Sequence, residues 1–208
     1  MHKVTDLKVL YFGTPVVLIS SRNADGTANL APMSSAWWLG QNCMLGLGNS
    51  GHTTANLLRD GGCVLNLVPS DLVEAVDRLA MTTGAQDVPE NKAAQGYRYE
   101  PDKFGLARLT PQPSELVGAP RVAECPVQLE CEVVTAHPFG TRATAFEVAV
   151  RRAHVEESLL IPGTQYVDPV GWDPLIMKFC EFFGGGGYVH PSRLAEGWNM
   201  PHQLTPAT

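Results

Sequence analysis

The chain has 208 residues, 44% of them hydrophobic and 17% charged, with a formal net charge of -6. That length suits one domain with a proper core or at most two small ones. An acidic balance without a basic run or a Lys/Arg stripe excludes nucleic acid as an expected partner, because phosphate neutralisation supplies most of that affinity. No stretch reaches the ~20 apolar residues of a membrane helix, and the polar segment Met1–Asp6 has no apolar core of a secretory signal.

Thr14–Ser21 is rich in β-branched residues and reads as a strand. The turn signal Asn23–Gly26 follows, and Thr27–Leu39 runs as a second extended segment, giving a hairpin. Pro32 within it argues for an edge, bulge or bend, since proline cannot donate to a sheet ladder. Cys43–Leu47 is a third short strand. His52–Arg59 has helical character and stops at Gly61-Gly62. Cys63–Val68 is a strand, and Ser70 is placed to cap a helix over Asp71–Ala80, whose Leu72, Val73, Val76 and Leu79 form one apolar face.

Met81–Cys125 is long, proline-rich and weakly periodic. Such a loop is uncommon in a compact domain unless it has a function, so short helical pieces and a covering role are expected. Val127, Leu129, Cys131 and Val133 alternate with Gln128, Glu130 and Glu132, as in a half-buried strand. Phe146, Val148 and Val150 alternate in another. The tail carries Trp172, Phe179, Phe182 and Phe183 ahead of the run Gly184–Gly187, which serves either a close backbone approach or a hinge. Consecutive strands with short turns favour a mainly β chain, an antiparallel barrel with a few helices.

Five cysteines, an odd number without a CxxC pair, fit a reduced cytoplasmic protein. Cys43, Cys63 and Cys131 lie in apolar runs and read as small buried hydrophobes. Without ligand spacing or a His cluster, no metal site is expected.

Gly46, Gly48 and Gly51 satisfy G-x-G-x-x-G, with Asp71 in the place of a ribose-binding acid. A Rossmann dehydrogenase is therefore one reading. Against it, His52–Arg59 is short for a crossover helix, two antiparallel-looking strands precede the motif, and the βαβ rhythm stops after Val68. The local chemistry stands without that fold. Asn49, Ser50, Thr53 and Thr54 cluster at a helix start, where free N–H groups and hydroxyls suit a phosphate. Plain capping by Ser50 or Thr53 explains them equally well.

The segment from Pro101 to Val133 carries a longer pattern: Asp102-Lys103-Phe104, Leu109-Thr110-Pro111, Pro113-Ser114-Glu115, Ala119-Pro120-Arg121-Val122-Ala123-Glu124, Pro126-Val127, then Leu129-Glu130-Cys131. It resembles the flavin reductase-like, FMN-binding split-barrel family. Asn29–Ala36 (NLAPMSSA), the pair Thr53 and Asn56, and the glycines before Tyr188 are similar to further family motifs. The resemblance runs from about Thr14 to His190.

It implies one FMN-binding domain over residues 1–208 with a tail from about 160, and a homodimer holding non-covalent FMN between subunits. NADH or NADPH would be the electron donor, and a partner oxygenase one destination for the electrons. Carried over, Met33, Ser34, Ser35, Ala36 and Trp37 would line the flavin ring. Asn49, Ser50, His52, Thr53, Thr54 and Asn56 would surround the phosphate, and Phe104 would approach the ring. Tyr188 serves stacking on flavin or nicotinamide or else simple packing, Trp37 serves either equally well, and His190 is equally a contact to flavin or nicotinamide or an exposed tail histidine. Members often carry a basic residue two places before the Thr; here Gly51 stands there, followed by His52. Hydride transfer needs no protein acid or base, so no catalytic residue is expected. The alternatives are an FMN-binding electron carrier and, behind it, the Rossmann dehydrogenase.

Overall fold

The structure is a computed structural model that describes residues 1–187 and Val189. Its centre is one antiparallel sheet of seven strands. In chain order these are β1 (Val17–Arg22), β2 (Ala28–Met33), β3 (Ala36–Leu39), β4 (Asn42–Gly48), β5 (Gly62–Leu67), β6 (Val127–Phe139) and β7 (Ala143–Val155). Their spatial order is β2-β1-β5-β6-β7-β4-β3, and every pairing is antiparallel.

That order forces curvature. Laid flat, the two edge strands would stand about 29 Å apart, at ~4.8 Å per neighbour. Yet β2 and β3 are joined through Ser34-Ser35 alone, a link that spans at most ~11 Å. The sheet must roll until its edges come together, and the Gly46 N–H bond to Ser35 O at 2.8 Å extends the β3–β4 ladder into the link. The extended segment expected over Thr27–Leu39 is therefore two strands on opposite edges. Pro32 sits on edge strand β2, where a missing N–H costs nothing.

Because side chains alternate along a strand, the rolled sheet has two cores. Val17, Ile19, Leu45, Leu65, Cys131, Phe146 and Val148 fill the interior. Leu57, from helix α1 (His52–Asp60), joins them and is 1% exposed; burying one such leucine contributes about 2 kcal/mol. The opposite faces, with Val16, Leu18 and Leu30, pack against Val76 and Leu79 of α2 (Val73–Leu79). The expected helix over Asp71–Ala80 starts later, because Ser70–Leu72 forms a 3-10 turn. Ser70 does not cap it: its hydroxyl is 2.5 Å from Asp173 Oδ2.

The long central stretch contains two short helices, α3 (Glu90–Ala93) and α4 (Lys103–Ala107). After β7 the chain returns so that Ile176–Lys178 pairs with Phe12–Pro15. A Cβ on Gly184 would fall 2.3 Å from Ser70 Cβ, so the glycine run begins with a close approach to this chain's own Ser70 side chain. With no parallel pairing in the main sheet, the Rossmann arrangement is excluded.

Candidate functional site

The turn Gly48–Gly51 leads from β4 into α1. Gly51 N–H bonds Gly48 O at 2.8 Å, and Thr54 Oγ1 donates to the same carbonyl at 2.7 Å. A Cβ on residue 51 would sit 2.9 Å from both Gly48 O and Thr54 Oγ1. The turn thus leaves no room for a side chain at the position where the family resemblance implies a basic residue. No side chain caps α1, and its first intrahelical bond runs from Ala55 N–H to Gly51 O. The N–H groups of His52, Thr53 and Thr54 precede that bond and have no partner among the described residues.

Behind α1, polar groups bond one another, and Asn29 Oδ1 alone of them is buried without a partner among the described residues. Asn56 Nδ2 donates to Ser21 Oγ and Asn23 Oδ1, each at 3.0 Å. Asn29 Nδ2 donates to Ser21 Oγ and Thr53 Oγ1, each at 3.1 Å. His52 Nε2 lies 2.8 Å from Asn23 Oδ1. This network ties the helix to the β1–β2 hairpin and leaves Thr53 Oγ1 as an acceptor whose own proton is still available.

In front of α1 lies a cavity of about 200 Å³. Met33, the α1 start from Ser50 to Thr54, and Thr82-Thr83 line it, and Lys92 and Lys103 supply two ammonium groups. Lys103 is only 4% exposed, and no ion pair among the described residues includes it. Burial, and secondarily the charge of Lys92, pull its pKa down to about 8 despite Glu100. Burial also lowers Lys92. His52 is lowered by burial first, then by Lys103, Arg59 and Lys92. Lys92 Nζ also lies 5.5 Å from the centroid of the Tyr97 ring. Open helix N–H groups, hydroxyls and two cations without a carboxylate partner among the described residues form a site for an anion, a phosphate above all. The residues fit the phosphate end of a flavin mononucleotide.

Of the residues expected from sequence, Met33, Ser50, His52, Thr53 and Thr54 border this cavity. Ser34, Ser35, Ala36 and Trp37 continue from Met33, along the link into β3; Ala36 points into the barrel, while Trp37 is 58% exposed. Asn49, next to Ser50 in the turn, does not line the cavity; its Oδ1 accepts from Thr144 Oγ1 at 2.8 Å. Asn56 and Phe104 are not brought to the cavity: Asn56 is held in the network behind α1, and Phe104 packs in the outer core. Tyr188 and His190 lie outside the described residues.

Sequence reasoning missed Lys103 and Lys92. The signal for Lys103 was present in Asp102-Lys103-Phe104. Asp102 caps α4, accepting from Gly105 N–H at 2.8 Å. Successive helix positions then diverge, sending Lys103 to the cavity and Phe104 to the core.

Comparison with known proteins accords with this architecture. The model of the flavin reductase like domain matches residues 9–180. The uncharacterized protein YdfE of Bacillus subtilis (strain 168) is 37% identical over 184 residues, 88% of each chain. Flavoredoxin of Desulfovibrio vulgaris (Miyazaki F) matches with a TM-score of 0.77 at 21% identity, over 94% of this chain and 100% of its own. Nitrilotriacetate monooxygenase component B from Bacillus cereus gives 0.71 at 22% identity, over 86% and 88%. At those identities the structures share the split-barrel fold with this chain.

Proposed function

Because the chain belongs to the flavin reductase-like domain family, we propose that it is a single-domain flavoprotein that binds FMN non-covalently and passes it a hydride from NADH or NADPH. The observation that carries the FMN reading is the buried, unpaired Lys103 ammonium in the cavity at the open start of α1. A buried cation without a counter-charge is expensive, and a phosphomonoester supplies that charge.

A cavity of about 200 Å³ is smaller than the ~300 Å³ and more of whole-ligand pockets. It encloses the phosphate end, and the ring lies outside it, along Met33–Trp37. The N–H groups at the head of α1, the Thr53 hydroxyl, Lys92 and Lys103 hold the phosphate. The link from Ser34 to Trp37 supports the ring through its backbone. The flavin supplies the hydride chemistry; the chain's work is to position it and to exclude water. Exposed Trp37 and Leu39 on edge strand β3 suit the contact of a second copy, so the working form is a homodimer in the cytoplasm. A partner oxygenase, as the component B name of one structural neighbour suggests, is a destination for reduced flavin.

The test is anaerobic stopped-flow mixing of the FMN-loaded protein with NADH and with NADPH. Rapid loss of the oxidised-flavin absorbance with either donor is the expected result. Reduction by dithionite alone would replace the reductase with the electron-carrier reading. A protein that takes up no flavin would overturn both.

A further inference from the structure

Lys103 and Lys92 place two positive groups on one small cavity, with His52 beside them. The charged groups that face them are few. Glu100 is the acid acting on Lys103, and one of its oxygens already accepts Asp102 N–H at 3.0 Å. Arg59 and Asp25 act on His52 with opposite signs. Arg59 is itself engaged with Asp60 and Asn56, and Asp25 with Thr27. No carboxylate among the described residues pairs with either lysine. The cavity therefore brings together like charges that oppose one another's protonation.

We propose that this site is a proton-linked anion lock: it takes up a proton at Lys103 when it closes on a phosphomonoester dianion, and it releases flavin as the proton leaves. This rests on the flavin-phosphate reading above. Burial disfavours the ammonium while the cavity is empty, and an opposite charge within ~4–6 Å reverses that preference. By linkage, a ligand that raises a group's pKa binds with proton uptake wherever the empty site is deprotonated. With Lys103 at about 8 in the empty site, affinity is level at neutral pH and falls above it. The ligand sets the other limit, since a phosphomonoester loses its second charge below about pH 6. FMN is thus held best between those limits. Riboflavin, which has no phosphate, escapes the linkage.

Titration calorimetry of the whole protein from pH 7 to 9.5, in two buffers of different ionisation enthalpy, tests this. The ligands are FMN, riboflavin and inorganic phosphate; the proteins are wild type, Lys103→Met and Lys103→Arg, with folding checked by circular dichroism. FMN affinity in the wild type should fall towards ~10-fold per pH unit above about pH 8, with buffer-dependent heats reporting proton uptake. Lys103→Met should weaken FMN binding at pH 7 and flatten its pH dependence. Lys103→Arg should also be flat, because guanidinium stays charged throughout. A level FMN affinity across the range in the wild type, or the same slope in Lys103→Arg, would overturn the lock while leaving the flavin reading intact. Inorganic phosphate binding with proton uptake while FMN and riboflavin give no heat would uphold the lock and overturn the flavin reading.

Discussion

Two charged side chains are buried in this molecule in opposite ways. Glu130 on β6 is 0% exposed and Lys103 on α4 is 4% exposed. Glu130 is satisfied by its own chain. Its carboxylate accepts N–H bonds from Glu115, Leu116 and Val117 at 2.6 to 3.2 Å, and His154 Nε2 lies 2.7 Å away. Burial pushes its carboxyl up, yet the Leu116 N–H, His154 and the Val117 N–H outweigh burial and hold it below the ordinary glutamate value. Lys103 has no such set. A buried charge closed by its own fold is a structural clamp, here fastening the 115–117 loop to the barrel. A buried charge left open, on a cavity, is built for something that arrives.

Breaking the clamp should give the largest effect. Glu130→Ala strands three N–H groups and His154, and should cost about 3–5 kcal/mol in urea unfolding. Glu130→Gln, which keeps an acceptor oxygen, should cost less.

Lys103→Met should do the reverse. Without flavin, its stability should equal or exceed that of the wild type, while FMN affinity falls at least ~10-fold, about 1.4 kcal/mol. A loss of stability comparable to that of Glu130→Ala would mean that Lys103 has an internal partner after all.

The two charges also predict opposite pH signatures. Glu130 is depressed in the folded state, so its contribution is present above the unfolded carboxyl pKa and is lost as pH falls through the folded one. Lys103 is depressed too, but it is a base. Between about 8 and the ordinary lysine value of 10.5 the unfolded chain binds more protons, so the flavin-free protein should gain stability as pH rises through that window. The gain should disappear in Lys103→Met and shrink with FMN bound. Unfolding titrations at several pH values check both.

Gly51→Ala should be milder, destabilising by about 1–3 kcal/mol through its contact with Gly48 O, and it should weaken FMN binding by disturbing the head of α1. The smallest effect on stability belongs to Trp37→Ala, within about 0.5 kcal/mol for an exposed side chain, with dimer formation and flavin binding carrying the change instead.

The same two residues show what sequence could reveal. The barrel's strands were legible wherever one face repeats, as in Val127–Val133 and Phe146–Val150, and the Pro101–Val133 string pointed to the family. Alternation put Glu130 on a solvent face, but the 115–117 loop covers that face, a tertiary fact that no local period carries. The break at Ser34-Ser35 was hidden because both sides are extended; only the strand order separates them. At the site, Thr53 and Thr54 announced a helix start that suits an anion. The string Asp102-Lys103-Phe104 marks the segment that carries Lys103, but the absence of a partner for its ammonium is a property of the folded neighbourhood, which no local string carries.

The most direct test is a crystal structure of the protein with FMN. The phosphate should lie at the start of α1, within hydrogen-bond reach of the Thr53 or Thr54 N–H and of Lys103 Nζ, with the ring outside along Met33–Trp37. A phosphate bound elsewhere, or a cavity without density in crystals that contain FMN, would contradict it.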